Sequence, residues 1–348
     1  MVAVLVAALD TLPLEERVHS SVNGEIALDL RHLQRRLASL LPDARAAGIE
    51  STLEIASQSY DAPRLISATV LEGSELTAHP VGAPPVPGFR AFLDGTQRSR
   101  VAAYVGTAPI VHGTVAAVIR ERVDRRMQTW GAPIAETRIY APRPVVPVAT
   151  WNTLAAEFGG SLVDTCDGEA DVVTHPFAMR DAAVHRVQAH REDLERRLAE
   201  RWCRDEREAL YVDGGISGSE QVALSMQAVG VVKSHRTLYA EADALATVLS
   251  LGSLERSSVF RVTSSKRTTV ASWYLRLRDP AGRDPMWGLV RAEMSLPEAR
   301  RMGEIGARAD EVSRWILAEA SPLALPDSRW DKMVYGVRDC EEYLRAVQ

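Results

Sequence analysis

Two segments of this chain have the same form, an apolar run followed by Asp-Gly: Phe92-Leu93-Asp94-Gly95 and Tyr211-Val212-Asp213-Gly214. A carboxylate at the end of a strand lies at the sheet edge where open α/β folds place their sites. The glycine after it lets the backbone turn sharply and leaves the carboxylate free. Two such carboxylates from neighbouring strands can converge on one divalent cation, because Mg²⁺ and Mn²⁺ take oxygen ligands and keep waters for exchange. Asp-Gly is also an ordinary turn sequence. The pair carries more weight than either member, since both follow apolar runs.

A third carboxylate has to come from a neighbouring element. The stretch 177–207 carries Glu192 and Glu195, one helical turn apart, and runs straight into the Asp213 segment. It also holds Arg191, Asp193, Arg196 and Arg197, which reads equally as a solvated, salt-bridged face. Glu293, in Arg291-Ala292-Glu293-Met294, is a fourth candidate, with an outward-facing strand residue as its alternative. Lys233 closes the apolar run Val229-Gly230-Val231-Val232, and His235, Arg236 and Tyr239 follow it. A lysine there can contact a scissile phosphate or stabilise charge developing on it. Only 3 of the 41 basic residues are lysines, and the two cations are not interchangeable in geometry.

Other chemistries lack support. Gly214-Gly215-Ile216-Ser217-Gly218-Ser219 has neither the spacing nor the lysine of a P-loop, and no dinucleotide fingerprint occurs. Ser217 and Ser219 have no suitably spaced histidine. His185 and His190 are five apart, off the metal-binding i,i+4 spacing, and read as surface residues. Three scattered cysteines argue against a disulfide framework and a cysteine-based zinc site. The apolar run Met1 to Leu9 lacks a basic flank and is too short to span a bilayer, so a cytoplasmic protein without membrane contact is expected. With 348 residues, 46% hydrophobic and 25% charged, the chain is globular, of one large domain or two modest ones. A net charge of −5 does not advertise nucleic-acid binding, yet metal-holding carboxylates add acidity that leaves basic residues free to act locally.

The elements around these residues follow from periodicity. Residues 25–48 read as a helix ended by Pro42-Asp43, and 65–71 as a strand. The Pro/Gly-rich stretch 80–88 reads as a linker, which separates an N-terminal helical or extended region (1–85) from a core (86–348). Residues 89–100 read as a strand running into a tight turn, 101–104 and 110–120 as continuing strand, and 121–130 as helical. Residues 139–148 are proline-studded and extended, and 151–159 form a short helix. The longest helical signal is 177–207, with Val184, Val187, Leu194, Leu198 and Trp202 on one face. Strands are expected at 209–213 and 228–232, a helix at 238–251, three antiparallel strands at 259–263, 268–278 and 287–294, and a closing helix at 297–319.

Taken in order, these segments resemble the NurA-type nucleases. Leu93-Asp94-Gly95-Thr96-Gln97-Arg98 is similar to the family's first Asp-Gly motif, and Leu210-Tyr211-Val212-Asp213-Gly214-Gly215-Ile216 to its second. Gly230-Val231-Val232-Lys233 resembles the Gly-aliphatic-aliphatic-Lys that follows. Arg291-Ala292-Glu293-Met294 resembles the late Arg-x-Glu strand, and Arg191-x-x-Leu194-Glu195 the helix that supplies an acidic ligand. The resemblance covers residues 90–345. It implies an α/β, ribonuclease-H-like mixed sheet flanked by helices, with an N-terminal extension and one or two Mn²⁺ or Mg²⁺ ions. It implies DNA as substrate, cut as a 5′-to-3′ exonuclease and single-strand endonuclease in end processing, repair or phage defence. It also implies a homodimer working with a HerA-type hexameric ATPase.

Carried over, Asp94 and Asp213 are metal ligands and Glu195 the helical ligand, with Glu192 in reserve. Lys233 lies beside the scissile phosphate. For a DNA substrate, the local cations Arg98, Arg100, Arg236, Lys266 and Arg267 are the candidates for backbone contacts, with ordinary surface charge as their alternative. The chain departs from the family at 335–341, where a histidine is missing and Glu341 or Asp339 is the available oxygen donor, and at Thr96-Gln97, where Ser-Arg is usual. Two other readings stay open: a metal-free adaptor of an ATPase, favoured by the lost histidine, and a small-molecule phosphohydrolase, which requires a narrow deep pocket.

Overall fold

The apolar and small residues on both sides of Asp94 keep a two-residue alternation, and the chain there runs as one long hairpin. The computed structural model describes residues 29–47, 62–166, 174–265, 267–297, 305–320 and 332–347. Among the described residues, four short strands precede the hairpin: β1 (Arg45–Ala46), β2 (Arg64–Leu65), β3 (Thr69–Val70) and β4 (Ala78–Pro80). The hairpin is β5 (Ala91–Val105) and β6 (Ala108–Val123), paired from Ala91↔Glu121 to Val105↔Ala108. Asp94-Gly95 therefore lies inside a strand, opposite Val118 and Ala117, and the expected tight turn is absent there. Cross-strand pairing with an apolar partner outweighs the local turn preference of Asp-Gly. The turn falls instead at Gly106, whose φ is +58°.

The remaining strands are β7 (Arg126–Thr129), β8 (Ile134–Ala141), β9 (Leu162–Asp164), β10 (Leu210–Asp213), β11 (Ala228–Val232), β12 (Thr237–Leu238), β13 (Glu255–Ser257), β14 (Phe260–Ser264), β15 (Arg267–Arg276) and β16 (Leu289–Ser295). Residues 121–130, read from sequence as helical, form the β6–β7 hairpin. Asp124 and Arg125 turn it with positive φ, and Arg120, Glu121 and Arg122 pair with Thr129, Gln128 and Met127. A run of consecutive charges, Arg120-Glu121-Arg122 and Asp124-Arg125-Arg126, carries no two-residue alternation that would mark it as strand.

The main sheet runs β3-β14-β15-β16-β11-β10-β5-β6-β8-β9. At its centre β8, β6 and β5 are antiparallel, while β10 lies parallel to β5 and β11 parallel to β10. This mixed, helix-flanked α/β sheet is compatible with the expected ribonuclease-H-like fold. β14, β15 and β16 are antiparallel as expected. The segment before residue 86 joins the rest through strand pairs: β1 with β5, β2 with β12, β3 with β14 and β4 with β13.

Helices cover both faces. They are α1 (Leu30–Leu40), α2 (Val148–Phe158), α3 (Pro176–Asp205), α4 (Glu220–Ala223), α5 (Ala242–Ser250), α6 (Ile305–Glu319) and α7 (Tyr335–Val347). The helical reading of 25–48 and of 297–319 extends over 25–28, 48 and 298–304, which lie outside the described residues. α3 starts where the His175 ring accepts the Phe177 N–H, with Pro176 in the first turn. It buries Ala183, Val187, Leu194, Leu198 and Trp202 against Leu93, Val115 and Ala117 of the hairpin. Each fully buried leucine there contributes about 2 kcal/mol. On the opposite face α6 and α7 bury Val312, Ile316, Val337 and Leu344 against Phe92, Val118 and Tyr211. α1 and α2 pack on the far end of the hairpin, at Ala102, Ala103 and Ile110. No helix among the described residues is long and apolar enough to cross a membrane.

Candidate metal centre

Register brings the two aspartates together. Val212 of β10 pairs with Leu93 of β5, so the next step along these parallel strands sets Asp213 beside Asp94. There β10 ends and β5 continues. Phe92 and Tyr211, two residues before each aspartate, meet on one face with ring centroids 5.8 Å apart. Alternation turns Asp94 and Asp213 to the same face. Lys233, just past the end of β11, donates from Nζ to Asp213 Oδ2 at 2.9 Å. Asp94 is buried and accepts the Gly95 N–H at Oδ1, 2.8 Å away. Burial, and then the charges of Asp213 and Glu195, raise its carboxyl well above the ordinary range; Lys233 opposes this and Glu341 adds to it.

Glu195 arrives from α3. A Cβ at Gly95 would collide with the Glu195 carboxylate and stand 3.0 Å from the Ala116 carbonyl, so the missing side chain makes room for the acid. Burial pushes Glu195 up to about 7, with Asp213 and Glu192 adding to the rise and Arg191 opposing it. Arg191 donates to Glu195 and, from Nε, to Gln97 Oε1 at 3.1 Å. Glu192 is exposed and accepts from Gln188 at 2.9 Å, so Glu195 is the acid of this helix that faces the aspartates. Neither Arg191 nor Gln97 was singled out from sequence as a site residue. The signal for Arg191 was its i,i+4 spacing to Glu195, which the charged run around it obscured.

From the other face α7 adds Glu341, buried and within electrostatic reach of Asp94. Asp339 is bound at 2.6 Å by Arg120 Nε, and Glu341 Oε2 accepts from Arg345 at 3.4 Å. α7 is held there by close packing of Gly336 on the Phe92 ring and by Cys340 Sγ donating to the Phe92 carbonyl at 3.3 Å.

Glu293 contacts the loop that follows Asp213. It is buried, with Oε1 accepting from Arg291 at 2.6 Å and Oε2 from the Ile216 N–H at 2.9 Å. Both oxygens are engaged, Oε2 by the loop after Asp213 and Oε1 by Arg291 of the same strand. That loop is tight: Gly214 has φ +137°, and a Cβ at Gly230 would stand 2.7 Å from the Gly214 carbonyl. His190, read from sequence as a surface residue, is buried between Tyr140 Oη at 3.0 Å and Glu136 Oε2 at 2.8 Å.

Of the basic residues, Arg98 and Arg100 share the strand face of Asp94 and make no ion pair with another described residue. The floor beside them is polar and partly open, with Thr114 and Thr137 half-buried and Ala135 exposed. Arg267 is exposed at the tip of β14–β15, a hairpin tied to the loop after Asp213 by the Thr268 N–H donating to the Ser217 carbonyl at 2.9 Å. Lys266 lies outside the described residues. Arg236 is half-buried, and its carbonyl accepts the Arg64 N–H beside the β2–β12 pair.

The donor chemistry suits a hard cation: four carboxylates from three sheet and helix layers, two of them raised by burial and mutual repulsion. Among the described residues, no three Asp, Glu, His or Cys side chains close on a single point as they stand. Asp213 is drawn to Lys233 and Glu195 to Arg191. The sequence matches no protein-family model and no curated protein.

Proposed function

We propose that the chain is a divalent-metal-dependent nuclease that hydrolyses phosphodiester bonds in DNA. The observation that carries this reading is the juxtaposition of Asp94 and Asp213, one step beyond the Val212–Leu93 pair where β10 stops, with Glu195 brought over Gly95 and Lys233 on Asp213. Asp94, Asp213 and Glu195 would hold Mn²⁺ or Mg²⁺, with Glu341 as a further oxygen donor. When bound, such cations activate water for in-line attack and stabilise the leaving oxygen.

The chain's own groups supply the rest. Lys233, on the same face as the aspartates, can pass its ammonium from Asp213 to a phosphate oxygen. Arg98 and Arg100, in line with Asp94 along β5, are placed to hold successive phosphates. The open polar floor beside them suits a polymer better than a small molecule. The 5′-to-3′ exonuclease and single-strand endonuclease activities, the homodimer, the HerA-type ATPase partner and a role in end processing, repair or phage defence are carried by the family resemblance.

The test is digestion of end-labelled single- and double-stranded DNA with Mn²⁺, Mg²⁺ or EDTA, comparing wild type with folded Asp94→Ala and Asp213→Ala. Metal-dependent cleavage lost in both variants supports the nuclease. No cleavage with any metal, even with a HerA-type partner present, supports the adaptor reading, which the missing histidine at 335–341 favours.

A further inference from the structure

Arg191 stands apart from the other cations of α3. Arg196 and Arg197 pair with Asp193, Arg196 also with Glu200 and Arg197 also with Glu136 of β8, and both side chains are exposed, at 41% and 42%. The Arg191–Glu195 pair has an i,i+4 spacing too but is half-buried, with side-chain exposures of 21% and 13%. Its order, cation before acid, is the weaker one for helix stability. Its fork also leaves the helix: Nε reaches Gln97 on β5, three residues beyond Asp94. The pair therefore links α3 to the strand of the aspartates.

We infer that Arg191 is the exchangeable counter-ion of Glu195: it holds the carboxylate until a divalent cation takes it, and then binds a phosphate oxygen of the DNA. This rests on the metal-dependent reading above. The physical reason is that a half-buried guanidinium, stripped of part of its hydration, favours an anion as its partner. Once Glu195 turns to a metal, Gln97 offers only a neutral oxygen, and Glu192 Oε1 lies 3.9 Å away on an exposed side chain. An incoming phosphate is the anion that completes the fork, and arginine matches phosphate through two parallel N–H donors. Metal and DNA binding are then coupled through one side chain, each favouring the other.

The test measures Mn²⁺ affinity of the full chain by calorimetry, with and without a phosphorothioate oligonucleotide that resists cleavage. Wild type, Arg191→Gln, Arg191→Lys, Glu195→Gln, the Arg191→Gln/Glu195→Gln double variant and Asp94→Asn are compared after circular dichroism confirms their folding. Arg191→Gln should bind Mn²⁺ at least threefold more tightly without DNA, since the competitor for Glu195 is gone. The gain in Mn²⁺ affinity that the oligonucleotide gives wild type should shrink at least threefold, and Arg191→Lys should fall between. In the Glu195→Gln background, Arg191→Gln should leave Mn²⁺ affinity unchanged. Mn²⁺ affinity unchanged or weakened in folded Arg191→Gln overturns the inference. If Asp94→Asn still abolishes Mn²⁺ binding in that case, the metal-dependent reading survives alone. No Mn²⁺ binding by wild type overturns both.

Discussion

The carboxylate of Glu293 accepts the backbone N–H of Ile216 at 2.9 Å, across the strand β11 that separates β16 from the Asp213 loop. Its other oxygen accepts from Arg291, which also donates to Ser272 Oγ at 3.1 Å. The loop that follows Asp213 is thus pinned by a buried ion pair, and Gly215 approaches Glu293 so closely that a Cβ would stand 3.1 Å from its oxygen.

Glu293→Ala should destabilise the protein by about 3 kcal/mol or more, because Arg291 is left buried without its partner. Glu293→Gln, which keeps an acceptor for Ile216, should lose less stability and retain divalent-cation binding. Urea denaturation and Mn²⁺ titration check the two halves. Loss of Mn²⁺ binding in folded Glu293→Gln would return Glu293 to the list of ligands.

Gly95→Ala should lower cleavage at least tenfold while costing about 1–3 kcal/mol of stability, the ordinary range for overpacking. The new methyl meets Glu195 and the Ala116 carbonyl, so it displaces the acid or the strand. Single-turnover rates with saturating Mn²⁺, set beside thermal unfolding, measure both. A variant with full activity would show that Glu195 is not required where it stands.

The metal-free protein should lose stability as pH rises from 4.5 to about 7. Glu195 is raised from its ordinary 4.5 to about 7 in the folded chain, so the folded state holds the proton more tightly than the unfolded one. The stabilisation from that proton is complete below 4.5 and disappears as pH passes 7, by up to about 3 kcal/mol. Asp94 shifts in the same direction. Glu195→Gln should flatten this part of the stability–pH curve, measured in EDTA, and added Mn²⁺ should flatten it in wild type. A wild-type curve already flat in EDTA between pH 5 and 8 would contradict the burial of Glu195.

Replacing Arg98 and Arg100 together by alanine should weaken single-stranded DNA binding at every sequence alike. It should reduce the slope of log affinity against log salt by about 1.4, two phosphates at roughly 0.7 each. Fluorescence anisotropy across a salt series reads the slope. An unchanged slope would remove these arginines from the DNA path.

Much of the frame was legible because it rests on local periodicity. α3 follows from its apolar stripe, and β14, β15 and β16 follow from alternation and the Asp279-Pro-Ala-Gly turn. Asp213 was legible as a strand end because Gly214-Gly215 breaks the apolar run that leads to it. Asp94 was not: whether Asp-Gly turns or extends depends on β6, a partner that pairs with it only after the hairpin closes. The choice between Glu192 and Glu195 depends on which side of α3 meets Gly95, a contact about 100 residues distant in sequence. The bond from the Ile216 N–H to Glu293 was not legible, because that partner is a backbone group that no residue pattern marks. The hidden position of His190 likewise depends on Tyr140 and Glu136 from another strand.

The unbroken run of β5 through the site limits how this gene can change in length. One strand of 15 residues, about 50 Å long, carries Asp94 near one end and the seat of α1 near the other. A single codon inserted between Ala91 and Asp94 would turn every later side chain of the strand to the opposite face, moving the aspartate from α7 to α3. The same codon inserted at Gly106-Thr107 only lengthens a surface turn. Descendants of this sequence should therefore vary in length at the hairpin tip and keep the spacing from Phe89 to Arg100 constant.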